Sequence, residues 1–184
     1  MGLDMYISKK TYVKQWDHQK PENKFEVTVT KGGMAYTAIR PERVTYVVEQ
    51  VAYWRKANAI HAWFVKNVQD GKDECQESYV SRENLQSLLS AVERVLDGTE
   101  LIEGDVHAGT TYDKDGRHEN YQPGRIAANP QLASEILPAQ SGFFFGGTDY
   151  DEFYVKDLEY TRDRLREILA LENDGGDYYY RASW

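Results

Sequence analysis

Seventeen residues, Ala52 to Val68 (AYWRKANAIHAWFVKNV), constrain the fold more than any other stretch. At ~100° of rotation per residue, Tyr53, Ala57, Ile60, Phe64 and Val68 fall on one stripe with the spacing of an amphipathic helix. The expectation is a helix that turns this stripe to the core. Beside it runs a second row, Trp54, Asn58, His61 and Val65. Solvated helix faces are built from Lys, Glu and Gln. A row of Trp, Asn and His therefore points either to buried side chains with satisfied hydrogen bonds or to the wall of a pocket. In the pocket reading Trp54 stacks on a ring, Asn58 and His61 hydrogen-bond, and Arg55, next to Lys56, pairs with an anion. Arg55 is rotated about 100° from Trp54, so it reaches the same ligand only if its long side chain folds back.

The rest of the chain supplies strands and two further helices. Leu3, Met5 and Ile7 alternate with Asp4 and Tyr6, as in a half-buried strand. Residues 14 to 24 read as a surface loop. Alternation over 25–30 and 34–39 around Lys31-Gly32-Gly33 predicts a hairpin, and Val44 to Val48 a strand leading into the helix. A helix capped by Ser81 follows, with Leu85, Leu88, Leu89, Val92 and Leu96 as its apolar stripe and Asp97-Gly98 as its end. The polar excursion 103–125 is nearly free of aliphatic residues and reads as a surface loop. It contains His107, Asp113, Asp115 and His118, but the histidines are far apart and Asp113 to Gly116 lacks the other positions of a calcium loop, so no metal site is expected. Residues 127–139 read as a short helical or irregular link and Phe143 to Phe145 as a central strand. The last helix spans about Asp151 to Leu171, with Tyr154, Leu158, Thr161, Leu165, Ile168 and Leu169 inward. The aromatic tail 177–184 fits an edge strand, a groove cover or an oligomer contact equally.

The Gly146-Gly147-Thr148 turn before that helix resembles a phosphate cradle. Asp149, Asp151 and Glu152 crowd the place where an anion would sit, and no Walker pattern is present. Thr148 and Tyr150 stay as candidate ligand contacts. No G-x-S-x-G elbow occurs, no catalytic residue is assigned, and no cofactor is implied.

A formal charge of −8 opposes general attraction to nucleic acid or anionic membrane. No apolar run approaches the ~20 residues that cross a bilayer, and no signal-peptide pattern opens the chain, so a cytoplasmic location is expected. The lone Cys75 fits a reducing compartment. Fourteen tyrosines suggest a recognition surface. These readings combine into a single α+β domain over residues 1–184, with a mainly antiparallel sheet of about five strands and three main helices.

Three segments, MGLDMY, AYWRKANAIH and SGFFFGGTDYDE, resemble the recurring segments of a family of small phage-encoded and bacterial proteins of unassigned function. The resemblance implies a phage or prophage origin, hence the host cytoplasm, and carries over no site residue. The first expectation is a non-catalytic binder of a small polar or nucleotide-like ligand that sequesters a host defence signal. The alternatives are an inhibitor of a host protein acting through an acidic, Tyr-rich surface, and a small hydrolase or transferase using His61. The oligomeric state is open.

Overall fold

The computed structural model describes residues 2–142, 144–171 and 175–184. In chain order its elements are β1 (Asp4–Tyr12), β2 (Thr30–Lys31), β3 (Met34–Ala35), β4 (Tyr46–Arg55), α1 (Asn58–Asn67), β5 (Ser78–Val80), α2 (Arg82–Asp97), β6 (Leu101–Asp113), β7 (Gly116–Ala127), α3 (Gln131–Ile136), α4 (Glu152–Ala170) and β8 (Gly176–Ser183). The main sheet is antiparallel with strand order β4-β1-β8-β5. The chain is α+β, with four strands in this sheet and two separate two-stranded ladders, β2-β3 and β6-β7.

The alternation at the start of the chain sets which sheet face is covered. Met5 stands between Trp54 and Ala182, and Ile7 between Ala52 and Tyr180, all of them buried. Phe64 stacks on Tyr180 with ring centroids 3.9 Å apart, so α1 lies on this face. Leu85, Leu88, Val92 and Val95 of α2 join Leu158, Leu165 and Ile168 of α4 in the same apolar cluster. Side chains at the intervening positions, among them Tyr6, Tyr53 and Tyr179, stand on the opposite, open face.

Of the predicted stripes, Leu85, Leu88 and Val92 of α2 and Tyr154, Leu158, Thr161, Leu165 and Ile168 of α4 are buried, Leu89, Leu96 and Leu169 are half-buried, Val95 and Val155 join the buried side, and both N-caps act as caps. Ser81 accepts from the Asn84 amide, and Asp151 accepts from the amides of Phe153 and Tyr154 at 2.9 and 3.0 Å. No helix among the described residues is long and apolar enough to cross a membrane.

Five expectations change. Ala52 to Arg55 belongs to β4, and the helix begins only at Asn58 after Lys56 turns the chain with φ 64°. The stripe that joined Tyr53 to Ala57 was a coincidence of periods, and Tyr53 is exposed. The polar excursion is a long hairpin, β6-β7, closed at Asp113 and Gly116; Asp113 accepts from the Asp115 amide inside the turn. Its strands are exposed along most of their length, so no apolar alternation marks them. Phe144 and Phe145 lie in a loop, Phe144 with φ 64°, while Phe143 falls outside the described residues. The aromatic tail is neither an edge strand nor a loose cover: β8 is an inner strand of the sheet. The 25–39 hairpin narrows to two residue pairs, both exposed.

Candidate functional site

Each residue of the predicted polar row is used inside the fold. Trp54 is buried and donates its indole N–H to the Thr161 hydroxyl at 2.8 Å, and that hydroxyl donates in turn to the Asp157 carbonyl. Asn58 is a clamp: its Nδ2 donates to the carbonyls of Phe145 (3.2 Å) and Gly147 (2.7 Å), and its Oδ1 accepts from the Gln140 amide (3.0 Å). It thereby ties the glycine-rich loop to the start of α1.

His61 has no solvent exposure. Its Nδ1 lies 2.8 Å from the Tyr180 hydroxyl and its Nε2 2.9 Å from Asp73 Oδ2. Trp184 donates to the other oxygen of Asp73 at 3.0 Å, and the imidazole meets Phe145 edge-on. Burial pushes the Tyr180 hydroxyl well above its ordinary range, with a further contribution from Asp73, which keeps it a neutral donor or acceptor. A carboxylate and a hydroxyl are both within reach of the imidazole. Both of its nitrogens are occupied, and the ring is buried between α1, β8 and the glycine-rich loop.

Thr148 is exposed and lies outside the cleft described below. Tyr150 braces the loop from behind, accepting from the Ala139 amide at 3.2 Å and meeting Tyr154 edge-on. Of the six predicted contacts, Arg55 and Asn58 therefore border open space, and Trp54, His61 and Tyr150 hold the scaffold.

That space is a cleft of about 950 Å³ between the β4-α1 elbow, the β6-β7 hairpin, the 142–149 loop and the first turns of α4. Such a volume is ample for a drug-sized or nucleotide-sized ligand. Gly146 shapes its wall: with φ 96°, and with its missing Cβ 3.1 Å from Lys56 Cβ, any side chain there would be strained. Four cations line the cleft, Arg55, Lys56, Arg117 and Lys156. Lys156 pairs with Glu152 at 3.0 Å and Arg117 with Glu119, while Arg55 and Lys56 make no ion pair among the described residues. Glu119 is held below the usual carboxylate range chiefly by the Thr110 hydroxyl, then by His107 and Arg117. The rings of Phe144 and Phe153 are half exposed at the cleft, and Lys156 stands over Phe153 at 5.0 Å.

The N-terminus of α4 is not free to bind an anion, because Asp151 already accepts from its first amides. Asp157, one and a half turns along, also lines the cleft. Burial, and then the neighbouring Asp151, push its carboxyl up to about 7. The cleft therefore offers two cations that make no ion pair among the described residues, a carboxyl that titrates near neutrality, and aromatic faces. Among the described residues no group of three His, Cys, Asp or Glu is placed to hold a metal ion.

Sequence reasoning missed Phe153, Lys156, Asp157 and Arg117. The Asp115-Gly116 pair was the available signal for the hairpin that brings Arg117 to the cleft; nothing local distinguishes Asp157 from the other carboxylates. No protein family, no curated protein and no solved structure matches this chain.

Proposed function

We propose that this protein is a non-catalytic binder of a small polar ligand carrying an anionic group and a ring, with nucleotides as the chemical class. The observation that carries this reading is the cleft in which Arg55 and Lys56, which make no ion pair among the described residues, stand beside the half-exposed rings of Phe144 and Phe153. The cations suit a phosphate or carboxylate, the rings suit a base, and the Asn58 clamp keeps the wall in place without a ligand. The sequence resemblance to phage-encoded proteins extends the proposal to sequestration of a host signal in the host cytoplasm. Native mass spectrometry of the purified chain, before and after denaturation, tests it, with titration of a panel of mono- and dinucleotides alongside. A co-purified or titratable nucleotide supports the reading. An empty spectrum with no heat of binding from the panel counts against it.

A second reading, capture of a host protein, draws on the open face of the sheet. Tyr6 and Tyr53 lie with ring centroids 5.3 Å apart there, and Tyr79 and Tyr179 5.9 Å apart, with Lys10 over Tyr179. Tyrosine suits such a surface because it is amphipathic and loses little rotamer freedom. Asp4, Lys10 and Arg181 share this face, so its charges are mixed rather than acidic. Co-precipitation from a bacterial lysate that is lost in Tyr79→Ala would favour this reading over the cleft.

A further inference from the structure

β4 is an edge strand with an unusual stretch at its start. From Tyr46 to Gln50 the side chains are exposed on both faces of the sheet, and the exposed set includes Tyr46 (51%), Val47 (41%) and Val48 (58%). Its inner edge pairs with β1, and no strand among the described residues pairs with its outer edge. The outer edge closes only at Tyr53, whose amide donates to the Tyr160 hydroxyl of α4 at 3.1 Å. Tyr46 to Gln50 holds one charge, Glu49, and no lysine or proline that would blunt an exposed edge, and the one bulge of the strand, at Val51, lies just beyond it. An open row of backbone N–H and C=O groups is completed by another polypeptide strand, not by a nucleic acid.

Charge identifies which strand. Residues 13–45 hold six Lys or Arg against four Asp or Glu, leaving sixteen against twenty-six in the rest of the chain. The segment that flanks the open edge is thus basic, and the remainder of the molecule is strongly acidic. Antiparallel pairing of β4 with its own copy about a two-fold axis at Val48 sets Val48 against Val48, Val47 against Glu49 and Tyr46 against Gln50. No like charges then face each other across the new ladder. The same register carries the basic 13–45 segment of each protomer past Val51 of its partner, toward the partner's acidic body.

We propose that the protein forms a two-fold dimer through edge-to-edge pairing of β4, Tyr46 to Gln50, joining two four-stranded sheets into one of eight. This inference does not depend on the ligand cleft.

Sedimentation velocity of the full chain over a concentration series tests it. A reversible dimer is expected. Val48→Lys, which brings two ammonium groups together on the axis at an exposed position, should weaken self-association by at least about tenfold with an unchanged melting curve. Val48→Cys in a Cys75→Ser background should give a disulfide-linked dimer on mild oxidation, because facing Cα atoms in such a ladder lie ~4.5–5.5 Å apart, within the span a disulfide bridges. Three results would overturn the proposal: a monomer at every concentration, a dimer indifferent to Val48→Lys, or a monomer whose 13–45 segment retains a single-stranded oligonucleotide.

Discussion

Two parts of the Ala52–Val68 stretch behave in opposite ways. Trp54, Asn58 and His61, spread over β4 and α1, turn inward and spend their polar atoms on Thr161, the glycine-rich loop, Tyr180 and Asp73. Arg55 and Lys56, at the elbow between the two elements, line the cleft and make no ion pair among the described residues. The polar residues that looked most like ligand contacts hold the wall up; the cations beside them face the space it encloses. A polar side chain next to an aromatic one in sequence is thus no guide to a site until its partners are known. Substitutions on the two sides of this boundary should separate stability from binding.

The largest effect is expected from His61→Ala. It empties a sealed position and leaves Tyr180 and Asp73 without their shared partner, at a cost of ~3–5 kcal/mol in chemical denaturation. A loss below about 1 kcal/mol would show that the network is dispensable and reopen a functional role for His61. Asn58→Ala should cost ~2–3 kcal/mol, because three backbone groups lose their partner, and should weaken nucleotide binding by loosening residues 140–147. Retention of full affinity would show that the clamp does not shape the cleft.

Asp157 gives a pH test on the cleft side. Its folded carboxyl keeps a proton up to about pH 7, whereas the unfolded one releases it near its ordinary value of 3.8. Between those values the folded chain binds more protons, so this group's contribution to stability falls as pH rises from about 4 to about 7 and is flat above. Asp157→Asn should therefore be more stable than the parent at pH 8, on the order of 2 kcal/mol once solvent screening at this partly open position is allowed for, with the gap shrinking toward pH 4. Parallel melting curves at all pH values would contradict it. The smallest change is Lys56→Gly, which relieves a left-handed backbone at φ 64° and should add about 1 kcal/mol while removing one cleft cation. A loss of stability instead would mean that the Lys56 side chain packs as well as binds.

Much of the fold was legible where one face of an element is buried. The caps and stripes of α2 and α4 and the alternation of β1 follow directly from apolar spacing, and so does the α+β class. Where burial is on neither face, as in β6-β7, spacing carries no signal, and only the Asp-Gly turn betrays the hairpin. β8 alternates Tyr178, Tyr180 and Ala182 toward the core, but its small tyrosine-rich run resembles a solvent-exposed tail. The elbow was obscured because residues 52 to 57 fit a strand by period two and a helix by period 3.6 at once. Of the candidate site, Arg55 and Asn58 were visible in sequence. Arg117, Phe153, Lys156 and Asp157 reach the cleft only through tertiary contacts between elements far apart in the chain.

The most direct test of the cleft is nucleotide titration calorimetry on the parent chain, the Arg55→Ala/Lys56→Ala double variant and His61→Ala. The expected result is binding by the parent, a loss of at least about tenfold in the double variant with its stability intact, and a destabilised His61→Ala that still binds while folded. Unchanged affinity in the double variant, or a parent chain that binds no member of the panel, would contradict the assignment of the elbow cations to a ligand site.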